Sequence, residues 1–301
     1  MKRSLVVGSS NTDMVVKSDH LPSPGETVLG GQFFTFAGGK GANQAVAAAK
    51  LEGQISFLAK VGNDELGQAA IAGFEKVGID TSSILIDSST HSGVALILVD
   101  AKGENSISVA SGANSKLSPK DIENSKELIE KSDFVLAQLE TPLESIERLA
   151  EITREANVPL ILNPAPAAKI SEKIFKDLFL ITPNESEAEL LTGIKITDEG
   201  SIIQALRSLK NKGVKNVIIT LGARGAYFLS DQEEELVPSR KVKAVDTTAA
   251  GDTFNGALTV ALAEGKSMKD AILFANHAAS ISVTKMGAQN SQPYRHQLKS
   301  S

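Results

Sequence analysis

The segment Asp246–Ala257 (DTTAAGDTFNGA) combines residue types that are suited to phosphoryl-transfer chemistry. Its small residues Ala249, Ala250 and Gly251 directly precede a helical pattern, so their amide N–H groups would lie at the N-terminus of that helix. Such amides, with the helix dipole, stabilise negative charge on a transferring phosphoryl group. The next residue, Asp252, is either a helix cap or the base that takes a proton from a substrate hydroxyl. We interpret it as the base.

A second glycine-rich segment, Phe36–Ala45 (FAGGKGANQA), leads into an alanine-rich helical pattern. Glycines allow a ligand to approach the backbone closely, and the following helix offers free N–H groups to an oxygen-rich ligand. The segment is not a P-loop, because Gly41 rather than Ser or Thr follows Gly39-Lys40. A tight loop alone would explain the glycines but not Lys40 and Asn43, so we favour a binding role.

The elements that must position these segments follow an alternating pattern of short apolar runs and longer helical stretches. The predicted strands are Ser4–Val7, Ile55–Lys60, Phe134–Leu139, Pro159–Leu162, Leu178–Ile181 and Asn216–Leu221. The predicted helices are Gly41–Leu51, Asp64–Val77, Pro119–Lys131, Pro142–Ala156, Glu199–Lys212, Ala250–Ala263 and Ser267–Lys285. Ser118 and Thr141 are the predicted hydroxyl caps of two of them, each followed by Pro at the first helical position. This alternation predicts an α/β fold with a doubly wound, mostly parallel sheet flanked by helices.

Two segments depart from that alternation. His91–Val99 and Glu104–Ala110 predict a β-hairpin, and Val15–Phe36 is extended with Pro and Gly breakers. We therefore expect one domain over residues 1–301, with a small β-sheet lid built from about residues 14–37 and 91–112.

Polar residues follow four of the predicted strands, in the segments Gly8–Asp13, Glu140–Thr141, Thr182–Glu187 and Gly222–Gly225. Because ligands bind beyond the carboxyl ends of parallel strands, these residues predict a polar pocket at one edge of the sheet. Plainer interpretations exist for some of them. Asn11 and Asp13 are also turn formers, and Thr182 with Glu185 fits a capping box. That box would leave Asn184 and Glu187 unexplained.

Composition narrows the class of protein. The net charge of −5 over 301 residues and the absence of long basic runs argue against a nucleic-acid partner. No run is apolar and long enough to span a bilayer, and the first residues resemble a strand more than a signal peptide. The chain has no Cys, which fits a reducing compartment. We expect a cytoplasmic protein with no membrane partner.

The two glycine-rich segments together resemble those of the ribokinase (phosphofructokinase B-type) family of carbohydrate kinases. The resemblance extends over nearly the whole chain and includes Gly8–Asp13, Pro24–Thr27, Gly38–Ala45, Gln138–Glu140, Asn163–Pro166, Thr182–Glu185, Thr220–Gly222 and Asp246–Gly256. It implies a doubly wound domain with a β-sheet lid that also forms a homodimer contact.

The resemblance also implies roles for individual residues. The sugar site would be lined by Asn11, Asp13, Gly39, Lys40, Asn43, Glu140 and Asp252, with the anion hole at Ala249, Ala250 and Gly251. ATP would be bound by Asn184, Thr220, Gly222, Arg224, Gly225, Gly251 and Asn276, and Glu187 would act indirectly on Mg²⁺. A K⁺ site would use Asp246, Thr248, Ser282, Lys285, Gly287 and Ser291.

The activity that the resemblance implies is transfer of the γ-phosphate of ATP to the 5-hydroxyl of D-ribose, the first step of ribose catabolism. The alternative is the same chemistry on deoxyribose, fructose or a nucleoside, and Asn11 is the discriminating residue because its amide suits a 2-hydroxyl group. A non-catalytic sensor would predict a damaged Asp246–Asp252 motif, which is intact. A nicotinamide-dependent dehydrogenase would carry a glycine fingerprint after the first strand, and this sequence has none there.

Overall fold

The computed structural model describes residues 2–299. Fourteen strands occur in this range: β1 (Arg3–Val7), β2 (Asn11–Lys17), β3 (Gln32–Gly38), β4 (Gln54–Leu58), β5 (Lys60–Gly62), β6 (Leu85–Asp87), β7 (Gly93–Val99), β8 (Asn105–Ala110), β9 (Phe134–Ala137), β10 (Leu160–Leu162), β11 (Leu180–Ile181), β12 (Asn216–Thr220), β13 (Ala226–Leu229) and β14 (Glu234–Val237). The main sheet has the order β14-β13-β12-β11-β10-β9-β1-β4. All neighbouring strands from β12 through β11, β10, β9 and β1 to β4 pair in parallel. Strand β13 pairs antiparallel with β12, and β14 pairs antiparallel with β13.

The helices lie on both faces of this sheet. They are α1 (Lys40–Lys50), α2 (Glu65–Lys76), α3 (Pro119–Asn124), α4 (Lys126–Glu130), α5 (Leu143–Glu155), α6 (Glu172–Phe175), α7 (Glu185–Thr192), α8 (Glu199–Asn211), α9 (Ala250–Ala263), α10 (Met268–Ser282) and α11 (Arg295–Lys299). The predicted α/β class with a mostly parallel sheet is confirmed.

The hydrophobic core has two layers because successive side chains of a strand point to opposite faces. In β1, Leu5 and Val7 pack with α3 to α8, whereas Val6 packs with α1, α2, α9 and α10. All three side chains are fully buried. Strands buried on both faces explain why the sequence shows continuous apolar runs here rather than alternation.

A second sheet has the order β3-β2-β7-β8 and comes from the two segments that the sequence analysis assigned to a lid. Its inner pair, β2 and β7, is parallel. Three residues separate the end of β1 from the start of β2, and one residue separates the end of β3 from the start of α1. The small sheet is therefore joined to the main domain at the predicted polar edge, and its role as a lid stays a prediction.

Two predicted helix caps are wrong. The N-cap of α5 is Pro142 rather than Thr141, whose hydroxyl group makes no hydrogen bond to residues 2–299. The capping box before α7 uses Asn184 and Glu187 rather than Thr182 and Glu185. In both cases the helix starts one or more residues later than the spacing of caps suggested. The predicted cap Ser118 at α3 is present, with Asp121 completing its box.

A charged cleft of about 560 Å³ lies by α6, between the C-terminal ends of α5 and α8. Its side chains form ion pairs within the cleft, such as Arg154 with Asp177 at 3.5 Å and Lys212 with Glu172 at 3.9 Å. Because α5 and α8 run antiparallel to the strands, the cleft lies at the sheet edge opposite the predicted pocket. None of the helices within residues 2–299 is long and apolar enough to cross a membrane.

Candidate active site

A cavity of about 190 Å³ lies at the carboxyl ends of the central strands and contains Asp252 in its wall. It is lined by Lys40, Asn163, Ala165, Thr182, Asn184, Glu187, Thr220, Thr247, Ala249, Ala250, Gly251, Asp252 and Asn255. The structure thus brings together the predicted base, the predicted amide segment, Lys40 and the residues that follow β11. These come from segments more than 200 positions apart in the chain.

The carboxylate of Asp252 is oriented by two side chains of α1. It accepts hydrogen bonds from Asn43 Nδ2 and Gln44 Nε2, both at 3.0 Å. Asp252 does not cap α9, because the N-cap is Ala249 and has no side-chain hydrogen bond. Burial raises the pKa of Asp252, although the Lys40 ammonium and the two amide donors oppose that rise. A buried, oriented carboxylate with a raised pKa has the properties of a general base.

Helices α1 and α9 approach closely enough for these contacts because Gly256 lies at their crossing. A Cβ atom at Gly256 would be 2.5 Å from Gln44 O and 2.8 Å from Ala47 Cβ. The sequence analysis quoted Gln44 within a motif but assigned no role to it. A polar pair inside an alanine-rich helix was the signal that could have identified it.

The amides predicted to form an anion hole lie at the start of α9. The N–H groups of Ala249, Gly251 and Asp252 make no hydrogen bond to residues 2–299, whereas Ala250 N–H donates to Thr247 O at 3.2 Å. The left-handed conformation of Ala249, with φ 56°, turns the chain into the helix at this point. Three amides are therefore free to bind an anion beside Asp252, and that of Ala250 is already engaged.

Behind the cavity, a chain of buried amides and hydroxyls fixes these groups. Gln44 Nε2 also donates to Asn163 Oδ1 at 2.9 Å, and Asn163 Nδ2 donates to Thr182 O at 3.1 Å. Thr182 Oγ1 donates to Asn255 Oδ1 at 2.6 Å, and Asn255 Nδ2 donates to the carbonyl of Gly251 at 2.9 Å. Satisfied buried networks rigidify a site. No site role was predicted from the sequence for Gln44, Asn163 or Asn255, and Thr182 was predicted only as a helix cap.

Two further carboxylates, those of Asp13 and Glu140, lie near enough to Asp252 for their charges to interact with it. Glu140 Oε2 accepts from Ser9 Oγ at 2.5 Å and from the backbone N–H of Lys40 at 2.9 Å. The pKa of Asp13 is raised to about 6, mainly by burial and also by the negative charges of Glu140 and Asp252. Three acids this close predict a ligand rich in hydroxyl groups, which can donate to all of them.

Gly39 permits the sharp entry into α1 that places Lys40 and Asn43 here. Its φ is 86°, and a Cβ atom would lie 2.7 Å from the backbone N of Asn11 and 2.9 Å from Ser10 Cα. Asn43 Oδ1 is buried and has no hydrogen bond to residues 2–299. This carbonyl oxygen is an acceptor without a donor, as expected of a group that awaits a ligand hydroxyl.

A second cavity, of about 370 Å³, has Glu140 in its lining. It is lined by Asn11, Val109, Ser111, Asn114, Ser115, Leu139, Glu140, Thr141, Pro142 and Pro166. It therefore lies between the small sheet, the turn that follows β8 and the loop that follows β9. Of the predicted sugar-site residues, Asn11 and Glu140 reach it.

The raised pKa of Asp13 predicts that this residue destabilises the free protein at neutral pH. Its pKa is about 6 in the folded state against 3.8 as the reference, so the folded state binds the proton more tightly. Stability from this group is greatest at low pH and falls as pH rises towards 6. We expect the free energy of unfolding of Asp13→Asn to be on the order of 1–3 kcal/mol higher than that of wild type at pH 7.5.

Urea unfolding at several pH values between 4.5 and 7.5 measures this effect. The gain from Asp13→Asn should shrink towards zero at the acid end, where wild-type Asp13 is protonated. A gain that is independent of pH would contradict the electrostatic explanation.

The predicted nucleotide residues lie mostly along β11 and β12. Asn184 caps α7 and forms a β-bridge with Thr220, and its partner Glu187 accepts from Asn184 N–H at 2.9 Å. Burial raises the pKa of Glu187 against the opposing influence of the Asn184 amide and Lys40. Asn184, Glu187 and Thr220 all line the cavity that contains Asp252.

Other predicted nucleotide residues lie outside the lining of that cavity. Arg224 belongs to the short helical turn Gly222–Arg224 and forms an exposed ion pair with Glu185 at 2.5 Å. Asn276 Nδ2 donates to Val237 O at 3.1 Å and to Pro238 O at 3.4 Å. The amide of Asn276 therefore holds the end of β14, on the same segment that Gly225 contacts.

Of the predicted cation-site residues, Thr248 and Gly287 contact the carboxylate of Asp246. Asp246 accepts from Thr248 N at 2.9 Å and from Gly287 N at 2.8 Å, which ties the loop before α9 to the segment after α10. Burial alone would raise the pKa of Asp246, but these hydrogen bonds outweigh it and lower the pKa. The hydroxyls of Ser282 and Ser291 each donate to a carbonyl within their own turn, and Lys285 lies near Lys50.

Comparison with known proteins agrees with this geometry. The model of the family described as pfkB family carbohydrate kinase matches residues 1–295. The chain is 45% identical over 296 residues to a ribokinase of Haemophilus influenzae, covering 98% of this chain and 97% of that protein. It is 39% identical over 295 residues to a deoxyribokinase of Salmonella typhi, covering 96% and 94%. The solved structure of Arabidopsis thaliana ribokinase complexed with ribose and ATP superposes with a TM-score of 0.94 at 32% identity, covering 100% and 98%.

Proposed function

Because the chain belongs to the pfkB family of carbohydrate kinases, we propose that it transfers the γ-phosphate of ATP to the 5-hydroxyl of D-ribose. The observation that carries this proposal is the position of Asp252. Its carboxylate lies in one wall of a cavity whose other walls are free helix amides, Lys40 and the Asn184–Glu187 pair. A hydroxyl donor and a phosphoryl group would meet there.

In this mechanism Asp252 is the general base. The amide groups of Asn43 and Gln44 hold its carboxylate in one orientation, so a sugar hydroxyl within hydrogen-bond reach would donate its proton to a fixed acceptor. Burial raises the pKa of Asp252 and so strengthens it as a base, while Lys40 limits the rise. General base catalysis of this kind typically contributes about 10²–10⁴-fold to the rate.

The free amides of Ala249, Gly251 and Asp252 would stabilise charge on the phosphoryl group. They are fixed before the reaction by the hydrogen bond from Asn255 to Gly251 O and by the turn at Ala249. Preorganised donors of this type need no rearrangement as charge develops. Lys40 adds a positive charge on the opposite wall.

Mg²⁺ is part of this proposal, and it would neutralise negative charge on the phosphate groups of ATP. Glu187 supports it, because one carboxylate oxygen accepts from Asn184 N–H and the other is left for a water of the ion. Within residues 2–299 no three His, Cys, Asp or Glu side chains cluster as a metal site. An ion held mainly by nucleotide oxygens and water fits that composition.

A monovalent cation such as K⁺ is also proposed, next to Asp246. The predicted ligands supply only carboxylate, hydroxyl and carbonyl oxygens, which suit a hard cation. When bound, the ion would attract the Asp246 carboxylate, in addition to the hydrogen bond that links Asp246 to Gly287. That link fixes the loop from which the anion-hole amides project.

The small sheet supports a homodimer. Phe33 and Leu96 are 63% and 55% exposed. Their cross-strand partners are Val16 and Met14, so both project from the face opposite Asp13. We propose that a second copy of the chain covers this apolar face. We also propose a cytoplasmic location.

The second candidate substrate is 2-deoxy-D-ribose, since a deoxyribokinase is among the full-length relatives. The polar amide of Asn11 favours ribose, because it offers a hydrogen bond to a 2-hydroxyl group that the deoxy sugar lacks.

ADP production with a panel of sugars tests the proposed function. We expect ADP release that depends on D-ribose, is slower with 2-deoxy-D-ribose and fructose, and increases severalfold when K⁺ replaces a bulky organic cation at constant ionic strength. Phosphorus NMR of the product would identify the 5-position. ADP release without any sugar would point to a hydrolase, and equal rates with ribose and deoxyribose would contradict the role of Asn11.

A further inference from the structure

We infer that Asn114, which follows the small sheet, is a positioning residue that fixes the side-chain amide of Asn11 so that it presents an N–H donor to the sugar. This inference rests on the proposed function, since it concerns the sugar pocket. Asn114 lies in the short helical turn Gly112–Lys116 and is 2% exposed. Its position in the sequence, outside every motif discussed above, gave no indication of such a role.

The orientation of the Asn114 amide is determined by backbone groups. Its Oδ1 accepts from Ser10 N–H at 2.9 Å, and its Nδ2 donates to Ser10 O at 3.1 Å. A backbone N–H only donates and a carbonyl only accepts, so the oxygen and nitrogen of Asn114 cannot be exchanged. The polarity of this side chain therefore follows from the backbone of one residue.

The same polarity passes to Asn11. Asn114 Nδ2 donates its other hydrogen to Asn11 Oδ1 at 2.7 Å. Because Asn114 offers a donor here, the atom of Asn11 that faces it must be the oxygen, and Nδ2 is left at the other end of the amide. This nitrogen has no hydrogen bond to residues 2–299 and belongs to a side chain that lines the 370 Å³ cavity.

Strand β7 packs against the hydrogen bond between the two amides. A Cβ atom on Gly93 would be 2.1 Å from Asn11 Oδ1 and 2.3 Å from Asn114 Nδ2, so the backbone of Gly93 lies directly against their hydrogen bond. Gly93 is also the cross-strand neighbour of Asn11. The backbone of Ser10 thus fixes the orientation of the Asn114 amide, and Asn114 fixes the orientation of the Asn11 amide. Gly93, the first residue of β7, packs against both.

The sugar specificity that follows is directional. A site that presents an N–H group favours a sugar oxygen with free lone pairs, and a site that presented a carbonyl would require a hydroxyl to donate instead. The carboxylates of Asp13, Glu140 and Asp252 already accept from hydroxyl groups. A hydroxyl that donates to one of these carboxylates can accept from Asn11 at the same time, which a deoxygenated carbon cannot do.

Asn114→Asp tests this inference with a minimal change of shape. An aspartate would still accept from Ser10 N–H, but it could not donate to Ser10 O or to Asn11 Oδ1. Rotation of the Asn11 amide would relieve the resulting repulsion and turn its oxygen towards the sugar. We expect the Kd and KM for D-ribose to rise about tenfold or more, with kcat changed less than about threefold. The KM for 2-deoxy-D-ribose should change much less.

The matched control is Asn216→Asp. Asn216 is also buried and donates through Nδ2 to a backbone carbonyl, that of Phe179, but it lies at the start of β12, away from the sugar. Both variants should lose a similar amount of thermal stability, and only Asn114→Asp should alter ribose binding. Equal changes for both sugars, or a fall in kcat alone, would show a purely structural role and overturn the inference.

A double-mutant cycle covers the case in which Asn114→Asp does not fold. Asn114→Ala should weaken ribose binding, measured by calorimetry without ATP, in wild type but not in an Asn11→Ala background. Additive effects would overturn the inference. Wild type is measured first with ribose and ATP: if it is inactive, the proposed function fails, whereas an active wild type with unchanged Asn114 variants removes the positioning role alone.

Discussion

Replacing Asp252 by asparagine is expected to lower kcat by about 10²–10⁴-fold while leaving the Kd for D-ribose within about threefold of wild type. The variant keeps the size of the side chain and loses only its capacity to take a proton. One hydrogen-bond conflict arises, because the new amide nitrogen would face a donor. Asn43 can resolve it by rotating its amide, since its oxygen has no partner in residues 2–299.

Stopped assays of ADP formation and calorimetric titration with ribose measure the two quantities separately. Asp177→Asn is a suitable control, because the Asp177 side chain is 7% exposed and lies at the opposite edge of the sheet, paired with Arg154. That control should retain wild-type kcat. An Asp252→Asn enzyme with more than about a tenth of wild-type turnover would exclude Asp252 as the base.

The second large effect is expected for Lys40→Met, with kcat/KM at pH 7 lower by about 10²-fold. The Lys40 charge lowers the pKa of both Asp252 and Glu187. Without it, both pKa values rise further, and less Asp252 is ionised at a given pH. The acid limb of the pH profile of kcat/KM should therefore move to higher pH, and activity should recover partly in alkaline buffer.

Rates between pH 5.5 and 9 measure that displacement. The control is Lys210→Met, a lysine with 22% side-chain exposure whose ion pair with Asp231 lies far from the cavity. Its profile should coincide with that of wild type. If Lys40→Met loses activity equally at all pH values, its charge acts on the phosphoryl group and not on the ionisation of Asp252.

The sequence predicted the framework of the fold and the position of the Ala249–Asp252 segment at the start of a helix, for local reasons. Apolar runs of the length of β1 and β12 predict buried strands, and small residues before a helical pattern predict free amides at Ala249 and Gly251. Both signals lie within about ten residues of the groups they describe. The predicted ends of α9, Ala250–Ala263, agree with the structure.

What the sequence did not predict depends on contacts between distant segments. Gln44 reaches Asp252 only because α1 crosses α9 at Gly256, and it also donates to Asn163 from 119 positions away. Asn114 reaches Asn11 from 103 positions away. Neither separation leaves a periodic pattern. The choice of Asn184 over Thr182 as helix cap was also not decided locally, since both are good capping residues and the strand β11 determines where α7 begins.

The proposed sugar pocket is shared between two sheets that have no strand in common. Asn11 and Asp13 lie on β2, while Glu140 and Asp252 belong to the large domain, so a sugar touching all four spans the joint between them. Any free energy needed to bring the small sheet to its closed position is then subtracted from the observed affinity. Natural variation at the outer surface of that sheet would consequently tune how much sugar the cell must supply before the enzyme is half saturated, without altering any residue that the sugar touches.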